Sequence, residues 1–213
     1  MAKKKPVTVV NRLVVIGLGL IGSSLAASVR NKGLAKEVIG ISRRQSTLEI
    51  ALNNGIVDRC VDDLSQVAQE LEQGDIVVIG VPTLSVPSVL QECIEQISAE
   101  VTLTDVASVK ESVVNSAIEL FGAVPPQLVP GHPIAGSEKS GVTAANPELF
   151  VDHRVILTPV ETTAKSHLER ATKLWQSVGA LVTSMNVQEH DQILAATSHL
   201  PHFLAYSLVD TLA

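Results

Sequence analysis

The stretch spanning residues 12–30, RLVVIGLGLIGSSLAASVR, constrains the fold of this chain more than any other. An apolar run over 13–16 ends in Gly17-Leu18-Gly19-Leu20-Ile21-Gly22 and passes into a helical pattern. Ile21, Leu25 and Val29 recur at helical spacing and give that helix one apolar face. Strand, tight turn and helix in that order open a dinucleotide-binding βαβ unit. Gly17 permits the sharp turn, Gly19 lets backbone approach a pyrophosphate, and Gly22 lets the helix lie close on the strand. Leu20 and Ile21 begin the helix, whose free N–H groups and positive dipole end face bound phosphates.

Strand-like and helix-like segments alternate beyond this unit. Strands are expected over 37–41, 75–81, 101–105, 128–132, 154–159 and 180–184. Helices are expected over 45–54, within 61–73, and over 85–97, 109–121, 165–178 and 186–197. The alternation predicts an α/β, Rossmann-type, doubly wound and mainly parallel sheet with helices on both faces. Only 2% of residues are aromatic, so Val, Ile, Leu and Ala must fill the core, as in parallel sheets covered on both sides. Residues 1–11 are expected as a disordered tail and 12–185 as the dinucleotide-binding domain. Residues 186–213 are expected as a linking helix and the start of a helical domain. The apolar helix begun by Pro201 carries no C-terminal signal before Ala213, which predicts that the natural chain continues.

The net charge of −6 argues against nucleic acid as a partner. The one basic cluster, Lys3-Lys4-Lys5, belongs to the tail, and the apolar run after it is already the first strand, so it is not a secretory signal. No apolar run has the length of a membrane span. Cys60 and Cys93 are isolated in sequence and read as small core hydrophobes in a reducing cytoplasm.

The strand tips carry the chemistry. An NAD site usually places Asp or Glu at the end of the second strand. This chain has Ser42-Arg43-Arg44 there, a hydroxyl and guanidinium groups suited to a 2′-phosphate. The expected cofactor is therefore NADP, with NAD possible, and Arg43 is its expected contact. Val81, Pro82 and Thr83 end the next core strand, where the nicotinamide ribose passes. Ser108 stands at a strand-to-helix turn on the same edge, a position that also suits a plain N-cap. His132 follows the strand over 128–132.

Several motifs together, in this order, resemble the prephenate/arogenate (cyclohexadienyl) dehydrogenases of tyrosine biosynthesis. They are the glycine loop, Asp105-Val-Ala-Ser108-Val-Lys110, Gly131-His132-Pro133-x-Ala135-Gly136-x-Glu138-x-x-Gly141, and His190-Asp191 followed by Ser198-His199-Leu200-Pro201-His202. The resemblance implies a Rossmann-type domain followed by a helical dimerisation domain, hence a homodimer acting on a small-molecule substrate. It implies hydride transfer from a cyclohexadienol to NADP or NAD with loss of carbon dioxide, giving 4-hydroxyphenylpyruvate or tyrosine. It matches His132 to the catalytic base and Ser108 to the serine that bridges substrate, histidine and nicotinamide. Ser137, Glu138, His199 and His202 are matched to the substrate pocket.

Two other readings compete. Dehydrogenases of the 3-hydroxyacid type usually carry a catalytic lysine on a later helix, and no such lysine follows the sheet here. A module that only senses NADP has no need of His132 and Ser108. No metal is expected, because Pro201 spoils a helical His199/His202 pair. His153 and His167 read as ordinary surface or strand-edge residues, and His190-Asp191 as a helix-start pair without chemistry.

Overall fold

The computed structural model describes residues 8–212. The apolar run that opens the chain becomes β1 (Val10–Ile16), which starts inside the expected tail. It leads through α1 (Leu20–Asn31), β2 (Ala35–Ile41), α2 (Gln45–Asn53), β3 (Arg59–Val61) and α3 (Ser65–Ala68) to β4 (Ile76–Ile79). Then follow α4 (Val86–Gln96), β5 (Thr102–Asp105), α5 (Lys110–Phe121) and β6 (Leu128–Val129). Among the described residues these strands form one parallel sheet in the order β3-β2-β1-β4-β5-β6. β3 has only three half-buried residues at the sheet edge, too few to print a pattern in the sequence.

Side-chain alternation splits the core into two layers. Leu13 and Val15 pack with Val38 and Val78 beneath Leu25 and Val29 of α1. Val14 and Ile16 pack with Ile39, Val77 and Ile79 against Leu90 of α4 and Val113 of α5. Each such side chain, once buried, stabilises the fold by about 1.5–3 kcal/mol.

The expected single strand over 128–132 is two strands in two sheets. Pro130 has no N–H for the ladder, so β6 stops before it. β7 (Gly131–Pro133) then joins a second sheet, antiparallel to β8 (Arg154–Leu157), which is parallel to β9 (Leu181–Ser184). α6 (Lys165–Ser177) connects β8 to β9 and buries Trp175, edge-on to Phe150 with ring centroids 5.2 Å apart. His167, read as an ordinary surface or strand-edge residue, is buried on α6, with Nδ1 2.8 Å from Thr102 Oγ1. Its place opposite β5 explains the difference, since α6 turns that face toward the sheet.

α7 (Val187–Leu194) begins with Asn186, whose side chain accepts the Glu189 N–H at 2.7 Å. The helix does not break before Pro201 as expected. Ala195–His199 widens into a π-helical turn that runs on into α8 (Leu200–Leu212). The wider turn accommodates a proline ring that collides with the preceding turn of a regular α-helix. Among the described residues no helix is long and apolar enough to cross a membrane.

Candidate active site

Strand register builds the site. Ile16 of β1 pairs with Ile41 of β2 and with Ile79 of β4, and Ile79 pairs with Asp105 of β5. The residues that follow, Gly17, Ser42, Gly80 and Val106, therefore stand side by side at the carboxyl edge. The chain departs in opposite directions from β1 and β4, which opens a crevice there. Gly17 has φ +98°, and a Cβ on it would lie 2.5 Å from the Gly80 carbonyl oxygen. A Cβ on Gly22 would lie 2.2 Å from the Gly17 carbonyl oxygen. Gly22 thus serves the close seating of α1 on β1 and is not among the residues that line the crevice. Gly19 has nothing within 4 Å of where its Cβ would stand, and α1 has no side-chain cap, so its first N–H groups are available to an anion.

The crevice is a cavity of about 700 Å³, lined by Gly17, Gly19, Leu20 and Ile21 at the loop. Ser42, Arg43 and Arg44 line one end, and Val81, Pro82, Thr83 and Ser108 line it further along, so these expected contacts share one space. Asp62 and Asp63, beyond β3, line it too, which the sequence did not reveal because β3 itself was invisible. Both carboxylates are engaged at the start of α3: Asp63 accepts from the Ser65 N–H and hydroxyl, and Asp62 from Gln66. The Ser65 hydrogen bonds, with a smaller push from the Arg43 charge, hold the Asp63 carboxyl below its usual range. Ser42 Oγ accepts the Arg44 N–H at 3.2 Å.

Ser108 is exposed to the cavity and is not the cap of α5. Asp191 of α7 fills that role, accepting the Lys110 N–H through Oδ1 and the Glu111 N–H through Oδ2, each at 2.9 Å. Lys110 is fully buried, and its Nζ donates to the Asp105 carboxylate and, at 2.6 Å, to the Gly131 carbonyl. Asp105 also accepts the Gly131 N–H at 3.2 Å. These bonds tie β5 to the start of β7 and fix where His132 stands. Burial pulls the Lys110 ammonium below its ordinary pKa, with Asp105 working against it.

His132 is 8% exposed and pairs across the second sheet with Ile156. Burial first, then the charges of Lys110, His190 and His199, drive its pKa down to about 3, against an opposing pull from Asp191. The ring is neutral at pH 7, as a general base requires. His190 is fully buried, with Nε2 3.0 Å from His132 Nδ1 and Nδ1 2.6 Å from Asp191 Oδ1. His190-Asp191, read from the sequence as a helix-start pair without chemistry, lies inside α7 and touches His132. The overlooked signal is the spacing of Val187, His190 and Leu194, which share the buried face of α7. Burial alone lifts the Asp191 carboxyl, but the Lys110 and Glu111 N–H groups and His190 outweigh it and hold it below its usual range.

The remaining expected pocket residues are less gathered. Ser137 and Glu138 are exposed on the loop over 134–141 and do not line the cavity, although Gly141 and Val142 do. His199 is half-buried on the π-helical turn, close enough for its charge to act on His132. The His202 side chain lies outside the described residues.

Known proteins share this arrangement. The family description "Prephenate dehydrogenase, nucleotide-binding domain" matches residues 25–184, and "Prephenate dehydrogenase, dimerization domain" matches 186–213. A cyclohexadienyl dehydrogenase of Zymomonas mobilis is 34% identical over 95% of this chain and 67% of its own length. A prephenate dehydrogenase of Bacillus subtilis is 35% identical over 92% of this chain, which spans only 52% of that relative. The crystal structure of A. aeolicus prephenate dehydrogenase with hydroxyphenyl propionate and NAD+ superposes with a TM-score of 0.87 at 32% identity, over 95% of this chain and 69% of that one. Glycine loop, sheet order and family match agree, and the chain belongs to the prephenate dehydrogenase family.

Proposed function

We propose that the complete protein oxidatively decarboxylates prephenate or arogenate with a nicotinamide dinucleotide as oxidant. The observation that carries this reading is a dinucleotide-sized crevice lined by Ser108 together with a buried His132, not itself in that lining, whose strand is bonded to β5 and α5 through Asp105 and Lys110, in a chain of this family. The cradle suits the cofactor: open space above Gly19, uncapped N–H groups on α1, and Val81, Pro82 and Thr83 along the crevice. When bound, the nicotinamide supplies the acceptor for the hydride that leaves the ring carbon. His132 takes the proton of the ring hydroxyl, so the carbon becomes a carbonyl before the ring carboxylate departs as carbon dioxide and the ring aromatises. Ser108, with one donor and two acceptor positions, holds that hydroxyl toward His132. His199 and His202 are the candidates to bound the substrate, with Ser137 and Glu138 on the exposed loop over 134–141.

NADP is the preferred cofactor in this reading. Arg43 stands exposed at the crevice, β2 ends without a carboxylate, and Asp62 and Asp63 are occupied at α3. The protein is a homodimer through the region that begins at residue 186, where Phe203, Tyr206 and Leu208 expose large apolar surfaces. A steady-state assay of the complete protein with two substrates and two cofactors tests the activity. Reduction of NADP with prephenate or arogenate is expected. Inactivity with both, alongside turnover of simple 3-hydroxyacids, overturns it. His132→Asn is expected to lower kcat about 10²–10⁴-fold, the span of a lost general base, while cofactor affinity holds.

A further inference from the structure

We propose that His190 and Asp191 are positioning residues that set the tautomer of His132 and balance the charge it acquires. This rests on His132 being the base of the reaction above. The chain of contacts runs from the active-site ring to a helix end. His132 Nδ1 is 3.0 Å from His190 Nε2, and His190 Nδ1 is 2.6 Å from Asp191 Oδ1. The two rings meet edge-on, at 64° between planes, so the contact is through the ring nitrogens and is not a stack.

Asp191 decides the direction of every bond. A carboxylate only accepts, so His190 Nδ1 carries a proton and donates it. With the ring neutral, His190 Nε2 is then a lone pair. It accepts from His132 Nδ1–H, and the remaining nitrogen, His132 Nε2, is left as a lone pair for the substrate hydroxyl. Reversing one tautomer breaks the chain at Asp191. The carboxylate itself is pinned by the Lys110 and Glu111 N–H groups at the positive end of α5.

Charge supplies the second half. The titratable groups that act on His132 are Lys110 from α5, His190 and Asp191 from α7, and His199 from the π-helical turn. Lys110, and the imidazoles of His190 and His199 whenever they hold a second proton, oppose a proton on His132, and Asp191 is the group that favours it. When Nε2 takes the hydroxyl proton, both imidazole nitrogens are protonated and the new positive charge is shared toward Asp191 through His190. No proton has to leave the chain during the step.

Asp191→Ala makes the test sharp. Asp191 Oδ1 accepts from both the Lys110 N–H and His190 Nδ1, so an amide would turn its oxygen there and keep both bonds, whereas alanine removes the acceptor outright. His190 is then free to carry its proton on Nε2 and donate it to His132 Nδ1, which puts the His132 proton on Nε2, where a base needs a lone pair. In the complete protein, ¹⁵N-labelled histidine spectra are expected to show Nδ1–H on both His132 and His190 in the wild type, and a gain of Nε2–H on His132 in Asp191→Ala. kcat is expected to fall at least about 100-fold with KM for substrate and cofactor within about threefold, as for a lost orienting carboxylate behind a catalytic histidine. Nε2–H on wild-type His132 overturns the proposal, whether or not the variant folds. So does an Asp191→Ala enzyme with wild-type kcat while His132→Asn is dead. Wild-type kcat in His132→Asn instead removes the underlying assignment of the base.

Discussion

Replacing Gly22 by alanine places a methyl group 2.2 Å from the Gly17 carbonyl oxygen and 3.0 Å from Val15 Cγ1. Both atoms belong to the turn and strand at the centre of the sheet, so α1 must back away until the contact reaches the ordinary 3.4 Å or more. Overpacking of this kind costs about 1–3 kcal/mol. Lifting α1 also loosens Leu25 and Val29, both fully buried. The better helix propensity of alanine returns at most about 1 kcal/mol. A net loss of about 2 kcal/mol lowers the melting temperature of a domain this size by about 4–8 °C. Gly19→Ala is the matched control. Its φ of −77° and ψ of −171° suit any residue, and the new methyl meets nothing within 4 Å. Its melting temperature should stay within about 1 °C of wild type, as for a surface change. In the proposed cofactor site the same methyl stands where pyrophosphate would meet the loop, so NADP affinity should fall at least about tenfold, or about 1.4 kcal/mol. Thermal melts with a calorimetric NADP titration read both quantities. A Gly22→Ala protein that melts with the wild type, or a Gly19→Ala protein that binds NADP equally well, refutes the reasoning.

In the proposed NADP-preferring site, Arg43→Ala removes a charge-assisted bond to a 2′-phosphate and should raise the NADP Kd about 10–100-fold. The NAD Kd should change little, and equal effects on the two cofactors count against the NADP preference. His132 folds with its pKa lowered to about 3, so the unfolded chain takes up the proton first as pH falls. The stability it contributes is complete above about pH 6.5, and about 2 kcal/mol of it is gone by pH 5. Denaturant titrations should show a flatter profile between pH 7 and 5 in His132→Gln, and an unchanged slope speaks against a buried neutral ring. Lys110→Met strands the Asp105 carboxylate in the core and should cost about 3–5 kcal/mol, the usual penalty for breaking a buried pair. Chemical denaturation measures it, and Lys110→Met with Asp105→Asn should recover part of the loss.

The strand, glycine turn and helix within 12–30 were legible in the sequence because local sterics decide them. Gly17 needs a positive φ, and Ile21, Leu25 and Val29 need a common face, whatever the rest of the chain does. The crevice lining followed, since residues just past strand ends in a doubly wound sheet share one edge. Tertiary contact decided the rest. β3 and the break at Pro130 depend on which neighbour offers a ladder, and three- or two-residue strands carry no period of their own. His190 lies 58 residues from His132, Asp191 lies 81 from the Lys110 N–H it caps, and Lys110 lies 21 from the Gly131 carbonyl. Each polar group was readable as an ordinary surface residue until packing removed its water. A buried donor or acceptor must then find a partner, and only the folded chain determines which one is within reach.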